Sequence, residues 1–295
     1  MGKRGRIRLE DLAGWGFILP LMAGLLMFRL YPLVESLRLS FFHTNGVVET
    51  WAGWDNYRYL LLDDDFWEAL RNTLVLGGMG IAISIPGSLV LATWIHSARW
   101  CRTFFRAVYF LPNITSMVAV AVVFQFLFYP TDQGLINYVL TGLGLPAQGW
   151  FADPDTSKLA VALMGVWHGI GYSILIVLAG LQSVPGELYE AASIDGAGPF
   201  RQWWHVTLPG VRPILVFLLI TGMISAMRRF NDVWMIGGEA GNPGGSLSTL
   251  MLYIYRVGFH SFELGKASAA AYLLFVVVFL LTLAHFRLIR FQRRE

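Results

Sequence analysis

Long apolar runs constrain this chain more than any other feature. Around residues 12–35, 72–96, 107–129, 158–183, 211–235 and 267–289 the sequence stays apolar for about 20 residues or more. At about 1.5 Å per residue that is enough for a helix to cross the hydrocarbon of a bilayer. In lipid a backbone satisfies its N–H and C=O groups only inside a helix or a closed barrel. The six runs therefore predict an all-α fold, a polytopic transmembrane helical bundle. Charge supports this: 14% of residues are charged, against about 25% in soluble domains. Pro20, Pro86 and Pro112 fall within or near these spans and are candidate kinks.

The N-terminus carries Lys3, Arg4, Arg6 and Arg8 ahead of an apolar run, as a signal peptide would. No small-x-small cleavage site follows and the run continues to Leu33-Val34, so it reads as an uncleaved first span. Lys and Arg in the connecting segments set the orientation. One side holds that N-terminal group, Arg99, Arg102, Arg106, Arg201, Arg212, Arg287, Arg290, Arg293 and Arg294. The other side holds only Arg38, Arg58, Arg71, Lys158, Arg256 and Lys266. Both termini and the segment 184–210 are thus expected in the cytoplasm, and 36–71, 130–157 and 237–266 outside. The outer segments are aromatic and acidic (Trp54-Asp55-Asn56-Tyr57, Asp63-Asp64-Asp65-Phe66-Trp67) or rich in Gly and Pro, and read as solvated loops with a belt of interfacial aromatics.

Several chemistries are excluded. Gly265-Lys266 is not a phosphate-binding loop: His260 stands where its first glycine belongs and Ala267 replaces the Ser or Thr. Asp153-Pro154-Asp155 reads as a turn. The single Cys101 excludes an internal disulfide and a cysteine metal site, and no basic patch suits nucleic acid. Polar groups inside spans are the functional candidates. Trp167 and His168 fall near the middle of the fourth span, and Tyr172 shares the His168 face; Gln125 lies toward the outer end of the third. Arg228, Arg229, Asn231 and Asp232 lie toward the outer end of the fifth, with Arg228 and Asp232 spaced to pair. An aromatic face beside hydrogen-bonding groups suits a sugar, while packing is the competing reading for each residue. Arg29 is expected to snorkel outward.

Between the fourth and fifth spans lies a polar island, Glu190-Ala191-Ala192-Ser193-Ile194-Asp195-Gly196-Ala197, followed by Phe200, Trp203, Trp204 and Thr207-Leu208-Pro209. Pro185 suits a helix start, Gly196 a sharp reversal with φ > 0, and Pro199 a second short helix. Phe200, Trp203 and Trp204 would share one face, expected to pack on the bundle, and Pro209 and Pro213 would end that helix. A small-residued knob on the cytoplasmic side results. Its pattern resembles the EAA loop of ABC importer permeases. The stretches Gly53 to Thr73 and Gly237 to Gly265 are similar to carbohydrate-uptake permeases of the maltose and glycerol-phosphate type, without the extra N-terminal helices or large outer domain of some members.

That resemblance implies a type I ABC importer permease. It divides the chain into a cytoplasmic segment, 1–11, a permease domain, 12–290, with its common core at about 70–290 and coupling loop at 184–210, and a tail, 291–295. It makes Glu190, Ala191, Ala192, Asp195, Gly196 and Ala197 the contact to a separate ATPase, and it implies no catalytic residue and no cofactor here, ATP and Mg being held by that ATPase. The implied partners are a second, similar permease subunit, two ATPase subunits, an extracytoplasmic solute-binding protein and the lipid of a bacterial-type inner membrane. The rival classes are a secondary transporter, which calls for inverted repeats, and a membrane enzyme.

Overall fold

The apolar runs are helical in the computed structural model, which describes residues 9–97 and 102–292. Cys101, most of the N-terminal segment and residues 293–295 lie outside the described residues. Among the described residues, five helical stretches are long and apolar enough to span a membrane: Trp15–Leu39, Asp64–Ser97, Pro154–Gln182, Pro199–Met227 and Leu264–Ala284. The sixth expected run, 107–129, is not one straight helix. Phe104–Ile114 and Met117–Leu127 meet at 100°, because Pro112 lacks an N–H, Leu111–Ile114 tightens into a 3₁₀ turn and Ser116 is extended. Counted as one bent span, the pair brings the total to six. By its internal contacts the chain forms two units, Met1–Asp63 with Ile254–Leu273, and Asp64–Tyr253 with Leu274–Glu295.

In the first unit, α1 (Leu9–Leu25) passes through a π turn, Leu26–Leu30, into α2 (Tyr31–Leu39). The turn directly precedes Tyr31-Pro32, and the Tyr31 N–H reaches back to the Leu26 carbonyl. A proline ring clashes with the carbonyl four residues earlier, and a widened turn relieves that clash without ending the helix. Outside the span the chain is more ordered than a solvated loop. Strands β1 (Phe42–Thr44) and β2 (Glu49–Trp51) pair antiparallel, with Phe42 opposite Trp51. The turn is held by Asn45, whose Oδ1 accepts from the Val47 and Val48 N–H groups at 3.0 Å each. Helix α3 (Asp55–Leu62) carries buried Asn56, whose Nδ2 donates to the Ser40 and Phe42 carbonyls, both at 2.9 Å. Phe41, Trp51, Trp54 and Tyr57 close over this corner. Arg38 bridges Glu35 and Glu49, and its guanidinium holds the Glu49 carboxyl below the usual carboxylate range.

In the second unit, α4 (Asp64–Ser97) runs through Pro86 unbroken. Then follow α5 (Arg102–Phe110), α6 (Met117–Leu127), α7 (Leu135–Gly142) and α8 (Pro154–Gln182). Asp153, expected in a turn, is the N-cap of α8: its Oδ1 accepts from the Asp155 N–H at 3.0 Å, with Pro154 at the first helical position. After α9 (Gly186–Ile194) and α10 (Pro199–Gln202), a second π turn, Trp203–Thr207, leads into α11 (Leu208–Met227). This is a correction: Pro209 and Pro213 do not end the helix. The π turn again sits just before the proline, the Leu208 N–H bonding back to Trp203, and one helix continues from Pro199 to Met227. The expected fifth span, 211–235, instead breaks at Arg228–Phe230, and α12 (Asn231–Gly237) is separate. α13 (Leu250–Tyr255) and α14 (Leu264–Gln292) follow, with residues 254–273 counted in the first unit and the rest of both helices in the second.

Among the described residues, two buried clusters hold this unit together. Leu89, Ala92 and Ile95 of α4 pack with Ile174, Val177, Leu178 and Leu181 of α8 and with Val211 and Leu218 of α11. Leu76, Val120, Phe124, Phe128, Trp150, Val161, Met164 and Val233 form the other. The Gly-rich connection after α12 is pinned to them. Asn72 donates to the Gly245 and Ser248 carbonyls, each at 3.1 Å. The Ser157 and Ser246 hydroxyls meet at 2.7 Å.

Candidate functional site

The knob is a short helix, α9, braced against the first turns of the Pro199–Met227 helix. α9 ends in a Schellman arrangement: Gly196 N–H bonds to the Ser193 carbonyl at 3.1 Å and Ala197 N–H to the Ala192 carbonyl at 2.9 Å. That closure needs a left-handed residue, and Gly196 has φ +76°. Gln202 of α10 reaches back, donating to Ser193 Oγ and to the Ala197 carbonyl, both at 2.9 Å. Tyr189 and Thr207 hydroxyls meet at 3.0 Å. The start lies one residue later than expected: Pro185 is the N-cap and Gly186 the first helical residue.

Glu190, Ala191, Asp195 and Gly196 are exposed, and Ala192 and Ala197 half-buried. The aromatic face is a correction. Trp203 alone packs inward, its Nε1–H donating to Thr93 Oγ1 of α4 at 3.2 Å. Phe200 is 78% and Trp204 52% exposed. The π turn starting at Trp203 breaks the 3.6-residue spacing that would align Trp204, and Phe200 lies in the first turn, uncovered by any described residue. Ile194, 87% exposed, and Leu188 add to an apolar surface around the small residues, which spacing alone did not expose.

A cleft of about 790 Å³ opens among α4, α8, α11 and the break after α11. It brings together His168, Tyr172, Arg228, Asn231 and Asp232. Gln125 and Trp167 are not in its wall. Gln125 is exposed on α6, and Trp167, one residue and so about 100° round the helix from His168, packs its ring 5.5 Å from that of Phe124.

The expected Arg228–Asp232 pairing is also corrected. Asp232 pairs with Arg229, three residues away, because the helix stops between them and places the 229 side chain, not the 228 one, over the carboxylate. The Arg229 guanidinium further donates to the Leu76 carbonyl at 3.3 Å and the Val161 carbonyl at 3.2 Å, and so ties α4, α8 and α12. It lies against Gly165, where a Cβ would collide with it. The Thr249 hydroxyl donates to the Arg229 carbonyl at 3.0 Å. The pair is nearly buried, with 13% and 10% of the side chains exposed. His168 Nε2 is 3.2 Å from the Thr115 carbonyl, an acceptor, which places the proton on Nε2.

Small and polar residues (Gly77, Gly80 and Ser84 on α4, Gly165 and Gly169 on α8, Thr221, Gly222 and Ser225 on α11) share the remaining wall with apolar ones such as Ile81, Val166 and Leu218. A signal for these existed. In each helix they recur at three- and four-residue spacing inside an otherwise apolar run, a small polar stripe facing away from lipid. Among the described residues no group of His, Cys, Asp and Glu could hold a metal ion.

A polytopic helical bundle with a polar cleft and a braced knob defines a membrane transport subunit. Residues 84–294 match the family of binding-protein-dependent transport system inner membrane components, and the chain belongs to it. Over 283 residues it is 31% identical to the lactose transport system permease protein LacF of Rhizobium radiobacter, covering 95% of this chain and 94% of that one. It is 32% identical to the arabinooligosaccharides transport system permease protein AraP of Bacillus subtilis, over 97% and 91% of the two chains. Its fold is that of a subunit in a bacterial alginate ABC transporter solved with an alginate pentasaccharide-bound periplasmic protein: TM-score 0.81 at 23% identity, over 94% and 93% of the chains.

Proposed function

We propose that this chain forms half of the translocation path of an ATP-driven sugar importer. It works beside a second permease chain, two ATPase subunits on the cytoplasmic knobs and an extracytoplasmic binding protein. Relatives named for lactose and arabinooligosaccharide transport support the sugar assignment. The distribution of Lys and Arg supports cytoplasmic termini.

One observation carries the reading. A single helix, Pro199–Met227, starts in the knob and ends at the cleft. At about 1.5 Å per residue it is a lever some 40 Å long. Glu190, Ala191, Ala192, Asp195, Gly196 and Ala197, with exposed Leu188, Ile194 and Phe200, form the docking surface; the small residues admit close approach and the two acids orient the partner. Movement there is passed by the helix to Arg228, Asn231 and Asp232, so that ATP binding and loaded binding protein bias one two-state switch. His168, Tyr172 and Asn231 offer hydrogen bonds to solute hydroxyls. ATP and Mg belong to the ATPase.

The test is reconstitution of the chain with the second permease, ATPase and binding protein encoded beside it or elsewhere in its genome. The expected result is ATP hydrolysis stimulated by saccharide-loaded binding protein, with uptake of that saccharide. Uptake driven by an ion gradient in vesicles holding this chain alone would refute it.

A further inference from the structure

We propose that the cleft selects a negatively charged sugar and that the Arg228 guanidinium is the group that recognises its charge. This rests on the sugar-importer reading above. Among the described residues, the charged side chains facing the cleft are Arg228, Arg229 and Asp232. The last two neutralise each other, and Arg229 is further used up on the Leu76 and Val161 carbonyls. Arg228 is exposed at the cleft, and among the described residues nothing pairs with its guanidinium. The remaining polar wall, including Ser84, Asn113, Thr221, Ser225 and Asn231, is neutral and hydrogen-bonding. The cleft thus carries one uncompensated positive charge amid groups suited to hydroxyls, and its volume is in the range of small-molecule sites.

A cation at membrane depth is costly unless it is paired or faces water in a cavity. Part of the compensation comes from α11. Arg228 is its C-cap, where the unsatisfied carbonyls favour a positive charge by the equivalent of about half an elementary charge. That contribution is indifferent to the solute and leaves the fork of N–H donors free. A guanidinium fork matches the two oxygens of a carboxylate, phosphate or sulfonate. The solute class that satisfies the polar groups of the wall is a polyhydroxylated molecule bearing one such anion: a uronate, or a sugar phosphate or sulfonate.

The experiment uses the full reconstituted transporter with its own binding protein. Uptake is compared for a neutral oligosaccharide, the matching uronate-terminated oligosaccharide and the matching phosphate ester, with wild type, Arg228→Gln and Arg228→Lys. Wild type is expected to take up at least one of the acidic compounds, and which one identifies the anion. Arg228→Gln should lower that uptake by about tenfold or more, and Arg228→Lys, which keeps the charge without the fork, should fall between. Uptake of the neutral sugar alone by wild type, or acidic uptake unchanged in Arg228→Gln, overturns the proposal and leaves the importer reading standing. Loss of co-purification with the second permease in Arg228→Gln also overturns it, by assigning Arg228 to an ion pair between the subunits. Failure of wild type to take up any of the three compounds overturns the sugar reading and this inference together.

Discussion

Gly196→Val separates the geometry of the knob from its chemistry. At φ +76° a Cβ added to Gly196 meets nothing within 4 Å, so the substitution creates no clash with a neighbour. The whole cost is in the backbone. An L-residue in the left-handed region places its Cβ against the following carbonyl, at about 1–2 kcal/mol. The chain can accept this cost, or return to negative φ and give up the Ala197-to-Ala192 bond and the Gln202 brace. Either way the docking-competent knob loses about 5–30-fold in population relative to its alternatives. Insertion should be unaffected, since residue 196 lies outside the spans. The assay is co-purification of the ATPase and ATP hydrolysis stimulated by loaded binding protein, at matched amounts of inserted chain. Gly196→Asn, which tolerates the left-handed region, should recover most of the coupling, and Glu190→Ala, which deletes one contact without bending the backbone, should be milder than Gly196→Val. Full stimulated hydrolysis and transport in Gly196→Val would refute the claim that the Schellman closure positions the coupling surface.

Asp232→Ala leaves the nearly buried Arg229 charge without its carboxylate and should destabilise the purified chain by about 3–5 kcal/mol; the double variant Arg229→Met with Asp232→Leu should recover much of the thermal midpoint, and a lack of recovery would show that the links to Leu76 and Val161 matter more than the pair. Trp167→Ala should lower thermal stability by removing packing on Phe124 while leaving solute selectivity unchanged, whereas Tyr172→Phe and Asn231→Ala should change it; a selectivity change in Trp167→Ala would place that ring in the path. In a background lacking Cys101, single cysteines at Gly198 and Gln292 should resist an impermeant thiol reagent in intact cells, and cysteines at Asp64, Gln148 and Asn242 should react. The reverse labelling pattern would invert the topology.

The class of fold was legible because bilayer thickness and backbone hydrogen bonding leave a long apolar run one solution. The knob was legible for a similar reason: Gly196 and Pro199 act within their own turn, so the reversal and the second helix follow from local chemistry. Where local chemistry competed with packing, sequence reading failed. Pro209 and Pro213 looked like terminators, but a π turn absorbs the first, and the helix reaches on to the cleft. The kink at Pro112 was legible, though not its size: with Ser116 it makes a bend of 100°. The pairing of Asp232 turned on whether the helix continued past Met227. Had it done so, Arg228 would have shared its face; the break gives that place to Arg229, held by carbonyls of α4 and α8. Trp167 and His168 are adjacent in sequence yet only His168 reaches the cleft. Sequence by itself determined that the chain is a membrane-spanning helical bundle with a helix–Gly–helix knob, because those features rest on hydropathy and on turns of a few residues. Tertiary structure alone decided which polar groups share a cavity and which charge is left over, because that depends on where each helix stops and on the rotation of its neighbours about their axes.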